Sequence, residues 1–433
     1  MIAFKSATTF TVSGIRHVQR NVQRYASAVL TSPSPSIIWK YSEKKEGTTK
    51  EVVCRLLCEH QFESSLFPLE TVTVSGNVNA SKIAPEIEQG KAILYVGDYY
   101  KAKNLYTGLK RFFGRTKKDD LSDPVDVPVS ELWEIQRNHA IRLSRYLNRL
   151  LVVVGPDHRL ESVPRRAPQV TKEILSSHFG PHTEPYAIPL REILGMIGAY
   201  EWKKNGVFIP QIDDYIHAEY GVFSPTRREY LDLLMALPIP TSTDNTTTMM
   251  DVGTGTGIIS AVMMLKRNVT KSIGTDINPR AVKCAQDNLS KLGLSDRAEV
   301  IQADTFPSRE TVVDLIVCNP PWLPGKAFSS LDLGIYDENL SMLRRFLTEA
   351  RYHLRSETSE VWLILSTMAE LLKLRSREAL LQMIDEGGLK VEEVIDTKPD
   401  HAKAKGEKPT GELAPIVRAR ADETTLLFRL RVK

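Results

Sequence analysis

The chain has 433 residues, 42% of them apolar and 25% charged. This ordinary globular composition excludes collagen-like and wholly disordered chains and is long enough to bury two or three cores. No run of about 18 apolar residues occurs, so no membrane-spanning helix is expected. Fifty-seven Lys and Arg against 53 Asp and Glu leave a formal charge of +4 and a pI of about 8.7. That falls below the roughly 9 of a strongly nucleic-acid-binding domain, so overall charge names no partner.

Residues 1–42 carry Lys5, Arg16, Arg20, Arg24 and Lys40, many Ser and Thr, and no acid before Glu43. The stretch fits a mitochondrial transit segment and a basic N-terminal extension equally, which leaves a cytoplasmic or a mitochondrial location open. Ser32-Pro-Ser-Pro-Ser36 reads as a linker. Residues 43–185 mix alternating segments such as Glu70 to Ser75 with helical ones such as Glu131 to Leu151, the pattern of a smaller α/β or α+β domain. Within it, Lys101 to Lys118 holds seven Lys or Arg and no acid, interleaved with Tyr106, Phe112 and Phe113. Such a mixture can grip a nucleic-acid backbone. The helical spacing of Ala102, Leu105, Tyr106, Leu109, Phe112 and Phe113 favours an apolar face turned to a core, with the charges on its solvated side.

The four cysteines, Cys54, Cys58, Cys284 and Cys318, are too sparse for a disulfide framework. The Cys54-x-x-x-Cys58 pair would need two more soft ligands to hold zinc, and only His60 is close, so no metal is expected. Residues 186–247 read as a connecting segment that ends in the loop Leu237 to Thr248.

From 248 to 433 short apolar runs alternate with helical patterns, with strands expected near 248–253, 272–277, 298–304, 313–318, 360–366, 389–397 and 423–432. This alternation implies βαβ units and a Rossmann-like, seven-stranded, mostly parallel sheet in an α/β domain, its last two strands pairing antiparallel.

Asp251-Val-Gly-Thr-Gly-Thr-Gly257 joins the first of these strands to a helix. Gly253, Gly255 and Gly257 allow backbone N–H groups and the helix N-terminus to approach a nucleotide-like ligand. Their spacing lacks the dinucleotide fingerprint. Asp276, 19 residues beyond Gly257 at the next strand end, can accept from both hydroxyls of a ribose. Asp304, at the third strand end, is placed to accept from an adenine amino group, with Thr305 and Phe306 beside it.

Asn319-Pro320-Pro321-Trp322 closes the fourth strand. The prolines remove two backbone donors and stiffen the turn, leaving the Asn319 amide and the Pro320 carbonyl as fixed acceptors, while Trp322 offers a flat face for a planar group. Two acceptors holding an sp² amino group would bend its nitrogen toward tetrahedral geometry and expose the lone pair to a methyl sulfonium.

In this order, Asp251 to Gly257, Asp276, Asp304 and Asn319 to Trp322 resemble the class I S-adenosylmethionine-dependent methyltransferases. More narrowly, they resemble the small-domain group with an Asn-Pro-Pro-aromatic motif, which includes adenine-N6 and guanine-N2 nucleic-acid enzymes and the glutamine methyltransferases of release factors. The resemblance covers about 220 to 433, and residues 90 to 220 are similar to the upstream half of uncharacterised bacterial members. It implies S-adenosyl-L-methionine as cofactor, no metal, and RNA, DNA or protein as acceptor, presented by the upstream domain. Tyr220 to Arg227 looks like the group's approach segment, which implies that Phe223, Pro225 and Arg227 line the methionine end. Trp322 stands where Tyr or Phe is commoner. Leu323 to Asp337, with Lys326, Tyr336 and Asp337, and Thr397 to Thr410, with His401, are expected to shape acceptor choice, and His217 to be structural. A small-molecule methyltransferase and a non-catalytic binding module on the same scaffold are the alternatives.

Overall fold

Two sheets carry the chain. The computed structural model describes residues 36–42, 49–56, 70–114, 127–158, 168, 170–240, 246–399 and 414–433, all within one compact unit. Upstream, β1 (Ser36–Ser42), β2 (Thr49–Leu56), β3 (Thr71–Ser75), β4 (Ala92–Val96), β5 (Leu150–Val154) and β6 (Tyr186–Pro189) form a six-stranded sheet in the order β1-β2-β6-β5-β4-β3. It is mixed, with β1–β2 and β5–β6 antiparallel and the other pairs parallel. Helices α1 (Ala80–Glu88), α2 (Tyr99–Phe113), α3 (Val129–Asn148), α4 (Val170–Phe179) and α5 (Leu190–Asn205) accompany it.

Three boundaries differ from the sequence reading. The basic extension expected over 1–42 stops short, because Ser36–Ser42 pairs with β2, whereas residues 1–35 lie outside those described. The upstream sheet runs past 185 to take Tyr186–Pro189 as β6. The helix expected as far as Leu151 ends at Asn148, because Leu150–Val154 is buried throughout as a strand, and a short apolar run of that kind does not itself distinguish helix from strand.

Helix α2 starts at Asp98, whose Oδ1 accepts from the Lys101 N–H at 3.1 Å, an N-cap that satisfies an orphan backbone donor. It buries Tyr99, Ala102, Leu105, Leu109 and Phe113, the core-facing stripe expected from their spacing. Phe112 departs from it and is 41% exposed, since it lies about 100° around the helix from its buried neighbour.

Downstream, β7 (Val207–Ile209) and β8 (Asp214–Ile216) form a hairpin, followed by α6 (Glu229–Ala236). Then come β9 (Thr248–Val252), α7 (Ile258–Lys266), β10 (Lys271–Asp276), α8 (Pro279–Lys291), β11 (Ala298–Gln302), β12 (Leu315–Cys318), the short β13 (Leu323–Pro324) and β14 (Tyr336–Asp337), and α9 (Ser341–Glu349). The chain ends with β15 (Glu360–Ser366), α10 (Met368–Leu371), α11 (Arg377–Glu386), β16 (Leu389–Thr397), α12 (Ala414–Asp422) and β17 (Thr425–Val432).

Seven of these strands make one sheet in the order β11-β10-β9-β12-β15-β17-β16, parallel except that β17 runs antiparallel to both its neighbours. All seven strands expected from the sequence are present, within two residues at each end. One face packs on α6 and α7 through Leu231, Leu234, Ile259 and Val262. The other packs on α9 and α11 through Phe346, Leu347, Leu380 and Ile384. Strand order reverses between β9 and β12, so a crevice opens at the carboxyl ends of these two strands, where open α/β sheets take their ligands.

Candidate functional site

A cavity of about 680 Å³ occupies that crevice. The turn after β9 forms its floor. Gly253 and Gly255 hold φ of +73° and +56°, a region that a side chain disfavours. A Cβ on Gly253 would meet no atom within 4 Å, so the space over it is cavity. The Gly253 and Thr254 N–H groups donate to the Thr275 carbonyl at 2.8 and 2.9 Å, which ties the turn to β10.

Asp251 is corrected from cofactor contact to support. It is fully buried and does not line the cavity. Its Oδ2 accepts from Thr254 Oγ1 at 2.8 Å and from the Ser260 N–H and Oγ at 3.1 and 2.8 Å. One carboxylate thus pins both the glycine turn and the first turn of α7, and burial pushes its pKa up against those hydrogen bonds. Gly257 also lies behind the cavity, where an added Cβ would sit 3.2 Å from the Ala285 Cα and Cβ.

Asp276 ends β10 on the cavity wall. Its Oδ2 accepts from the Gly255 N–H at 3.0 Å and its Oδ1 from the Asn278 N–H at 2.9 Å. Burial outweighs these bonds and lifts the carboxyl to about 6.

Asp304 and Thr305 follow β11 and line the cavity. Asp304 is ion-paired with Arg345 of α9, a partner the sequence did not suggest. Thr305 adopts φ +76°, and its buried Oγ1 has no hydrogen-bond partner. Its carbonyl accepts from Thr275 Oγ1 at 2.7 Å, so the fold holds the backbone here while the side-chain hydroxyl stays open to a polar partner. Phe306 is corrected: it stacks on His353 at 4.5 Å and on Phe346 at 5.7 Å within the core and does not reach the cavity, because its outward-turned neighbour Thr305 faces the other way along the chain.

Asn319, Pro320, Pro321 and Trp322 emerge from β12 onto the same wall. The Trp322 Nε1–H donates to Asn319 Oδ1 at 2.8 Å. The Asn319 amide and the Pro320 carbonyl are expected as two acceptors aimed into the crevice; one acceptor position of Asn319 Oδ1 is taken internally by the indole, and a carbonyl oxygen has a second. The Tyr230 hydroxyl lies against the same side chain, and burial raises its pKa.

Phe223, Pro225 and Arg227 line the cavity. Arg227 is not a free cation. Its Nη1 donates to Glu423 Oε1 at 2.7 Å and its Nε and Nη2 to Glu229 Oε1 at 2.8 and 2.6 Å. The guanidinium lies 4.6 Å from the Trp322 ring centroid, a cation–π contact that supports the indole.

The loop from Leu323 to Asp337 continues the wall through Leu333, Gly334 and Tyr336. Asp337 caps α9 instead of facing the cavity, accepting from the Met342 and Leu343 N–H groups at 3.0 and 2.9 Å. Of Thr397 to Thr410 only 397–399 are described; Pro399 lines the cavity, and His401 lies outside the described residues. His217 is tied down, its backbone N–H on Asn288 Oδ1 at 3.0 Å and its ring Nδ1 2.6 Å from the Lys203 carbonyl. Cys284 and Cys318 are buried thiols, and burial pushes Cys284 up to about 12. Among the described residues no three His, Cys, Asp or Glu side chains converge as metal ligands, and no helix is long and apolar enough to cross a membrane.

Sequence reasoning missed Trp133, Tyr230, Glu423 and Arg345. Each reaches the site from a segment with no motif around it, so only the tertiary fold could bring it there.

Residues 214–374 match the methyltransferase small domain family. Over 97 residues, 22% of this chain and 35% of the relative, the sequence is 32% identical to a release factor glutamine methyltransferase of Cereibacter sphaeroides. It is 36% identical over 92 residues, 21% of this chain and 32% of the relative, to the protein of that name from Moorella thermoacetica. The chain thus spans about a third of the length of these relatives. The crystal structure of a ribosomal protein L11 methylase from Lactobacillus delbrueckii subsp. bulgaricus aligns at 16% identity and a TM-score of 0.33, over 51% of this chain and 86% of that one.

Proposed function

We propose that the protein, whose residues 214–374 carry the methyltransferase small domain, methylates the side-chain amide nitrogen of a protein glutamine with S-adenosylmethionine as donor. The observation that carries the reading is the meeting of the Asn319 carboxamide, Pro320 and Trp322 with Asp276 and the glycine turn in one cavity. The names of the relatives favour glutamine over a nucleic-acid base.

The donor set suits an adenosyl cofactor. The open cradle over Gly253 and Gly255 admits its backbone-bound part, the Asp276 carboxylate suits ribose hydroxyls, and the unpartnered Thr305 Oγ1 awaits a polar partner. Bound there, S-adenosylmethionine supplies an electrophilic methyl group on sulfonium.

The chain's own residues act on the acceptor. The free lone pair of Asn319 Oδ1 and the Pro320 carbonyl accept the two amide N–H hydrogens, while the indole of Trp322 covers the amide plane. Amide nitrogen is a poor nucleophile because its lone pair is delocalised into the carbonyl. Gripping both hydrogens out of the amide plane localises that pair, and the oriented dipoles stabilise the positive charge that develops on nitrogen. The new C–N bond replaces the S–C bond, and the nitrogen then loses one proton to water, so no side-chain base is required. Phe223, Leu333 and Tyr336 give the cavity an apolar wall beside the acceptor. The upstream domain presents the acceptor.

Incubating the full chain with tritiated S-adenosylmethionine and separated protein, RNA and metabolite pools tests this. Label should enter protein and be found on glutamine after proteolysis and mass spectrometry. Label confined to RNA or metabolites overturns the acceptor, and no transfer to any pool overturns the activity.

A further inference from the structure

We infer that helix α3 of the upstream sheet is part of the acceptor site, with Trp133 as an acceptor-facing wall and Arg137 as the residue that positions the loop after the catalytic turn. The inference rests on the proposed methyl transfer for the word acceptor, but its geometry stands apart from it.

Leu132 anchors the helix. It is buried in a cluster with Leu323, Met368, Leu372, Ile416 and Ala419, so α3 is packed against the segment that follows Trp322 and against α12. The next residue, Trp133, packs on the same cluster and lines the cavity. Two indoles from distant parts of the chain, Trp133 and Trp322, therefore share one cavity that holds the Asn319 amide. A planar amide group suits such a lining, because aromatic faces offer broad contact without demanding hydrogen bonds.

Arg137 lies one turn beyond Trp133, on the same face of α3. Its guanidinium sits 3.2 Å from the Tyr336 ring centroid and 5.5 Å from that of Phe328. Its Nη2 donates to the Lys326 carbonyl at 2.6 Å and to Asp332 Oδ2 at 3.4 Å, and Asp332 Oδ2 in turn accepts from the Phe328 N–H at 3.0 Å. One side chain of the upstream domain thus touches four residues of the loop from 323 to 337. Within itself that loop has the two-residue pairing of β13 with β14, one short 3-10 turn at Leu331–Gly334 and a few turn hydrogen bonds around Asp332. Six of its residues, Leu323, Ser330, Leu333, Gly334, Ile335 and Tyr336, line the cavity. A planar, delocalised cation that stacks and donates at once suits such a clamp, and lysine does not replace it.

The test uses the full chain saturated with S-adenosylhomocysteine. In Arg137→Ala, amide hydrogen exchange in 323–337, where the Leu323, Gly325 and Ile335 N–H groups are bonded within the loop, should rise about tenfold, with 251–257 unchanged and Arg137→Lys in between. S-adenosylhomocysteine affinity by calorimetry should stay within about twofold, whereas the apparent KM for total soluble protein as acceptor should rise about tenfold with kcat within about threefold. Trp133→Ala should shift KM likewise, and Trp133→Phe should restore most of it. Unchanged loop exchange in Arg137→Ala, or a parallel fall in S-adenosylhomocysteine affinity, overturns the inference. If the wild-type chain labels no protein, the proposed function fails instead, and the exchange measurement still decides the role of Arg137.

Discussion

The Trp322 indole N–H donates to the Asn319 carboxamide oxygen at 2.8 Å, so the last residue of the Asn-Pro-Pro-Trp turn fixes which way its first residue points. A side-chain amide is nearly symmetric in shape, and a hydrogen bond is what distinguishes its oxygen from its nitrogen. Here it places Oδ1 where acceptor character is needed and leaves one lone pair free.

Trp322→Phe keeps an aromatic face but releases that oxygen. Turnover should fall about tenfold with S-adenosylhomocysteine affinity nearly unchanged, and Asn319→Ala should lower turnover by about a hundredfold or more. Initial rates and calorimetry check both. A Trp322→Phe rate equal to wild type would show that the indole acts by stacking alone.

Cofactor affinity should depend on pH through Asp276, whose carboxyl is lifted to about 6 by burial. The ionised form accepts from hydroxyls, so binding is full above this value and weakens as pH falls through it, approaching about tenfold per pH unit. The same shift has the opposite sign for the unliganded fold. The native state binds the proton more tightly than the unfolded chain, so the unliganded protein loses stability as pH rises from about 4 to about 6. Calorimetric titration with S-adenosylhomocysteine between pH 5 and 8 should show the first effect in wild type and a flat, weaker profile in Asp276→Asn.

Two glycines of one turn should respond differently to alanine. Gly257→Ala combines φ +77° with a Cβ 3.2 Å from the Ala285 Cα and Cβ, so it should cost about 2 kcal/mol or more of stability, read by urea unfolding. Gly253→Ala meets no neighbour and should cost about 1 kcal/mol for its backbone alone. Its Cβ would stand in the cofactor's space, and S-adenosylhomocysteine affinity should drop further than stability does.

Removing Arg227 strands two carboxylates. The Glu229 and Glu423 side chains are 6% and 8% exposed and both pair with this guanidinium. Arg227→Met should destabilise by about 3 kcal/mol, because an unpaired buried charge costs more than the pair contributes. Adding Glu229→Gln and Glu423→Gln should recover part of the loss in urea unfolding. No recovery would mean that Arg227 acts chiefly by packing under Trp322.

The seven-stranded sheet was legible because its strands are short apolar runs separated by amphipathic helices, and because glycine and proline punctuate the strand ends that carry chemistry. Gly253, Gly255, Asp276 and Asn319 are each readable from their immediate neighbours. Asp251 was misjudged for the same reason: its position at a strand end suits a ligand contact, and only the fold reveals that Thr254 and Ser260 enclose it. Asp304 and Arg227 were read as open to a ligand, yet Arg345, Glu229 and Glu423 reach them from elsewhere in the chain.

What the amino-acid order determined alone is what depends on period and turn chemistry: element type in the strongly periodic segments from 248 onward, the parallel sheet, and the strand ends at which function gathers. Tertiary structure alone decided which charges neutralise one another, and it carried Trp133 of α3 to the cavity wall and Arg137 of the same helix onto the loop 323–337. The physical reason is range. Backbone sterics and hydrophobic periodicity act over a few residues, whereas burial, ion pairing and cavity shape depend on segments such as 137 and 332 that meet only once both sheets have packed.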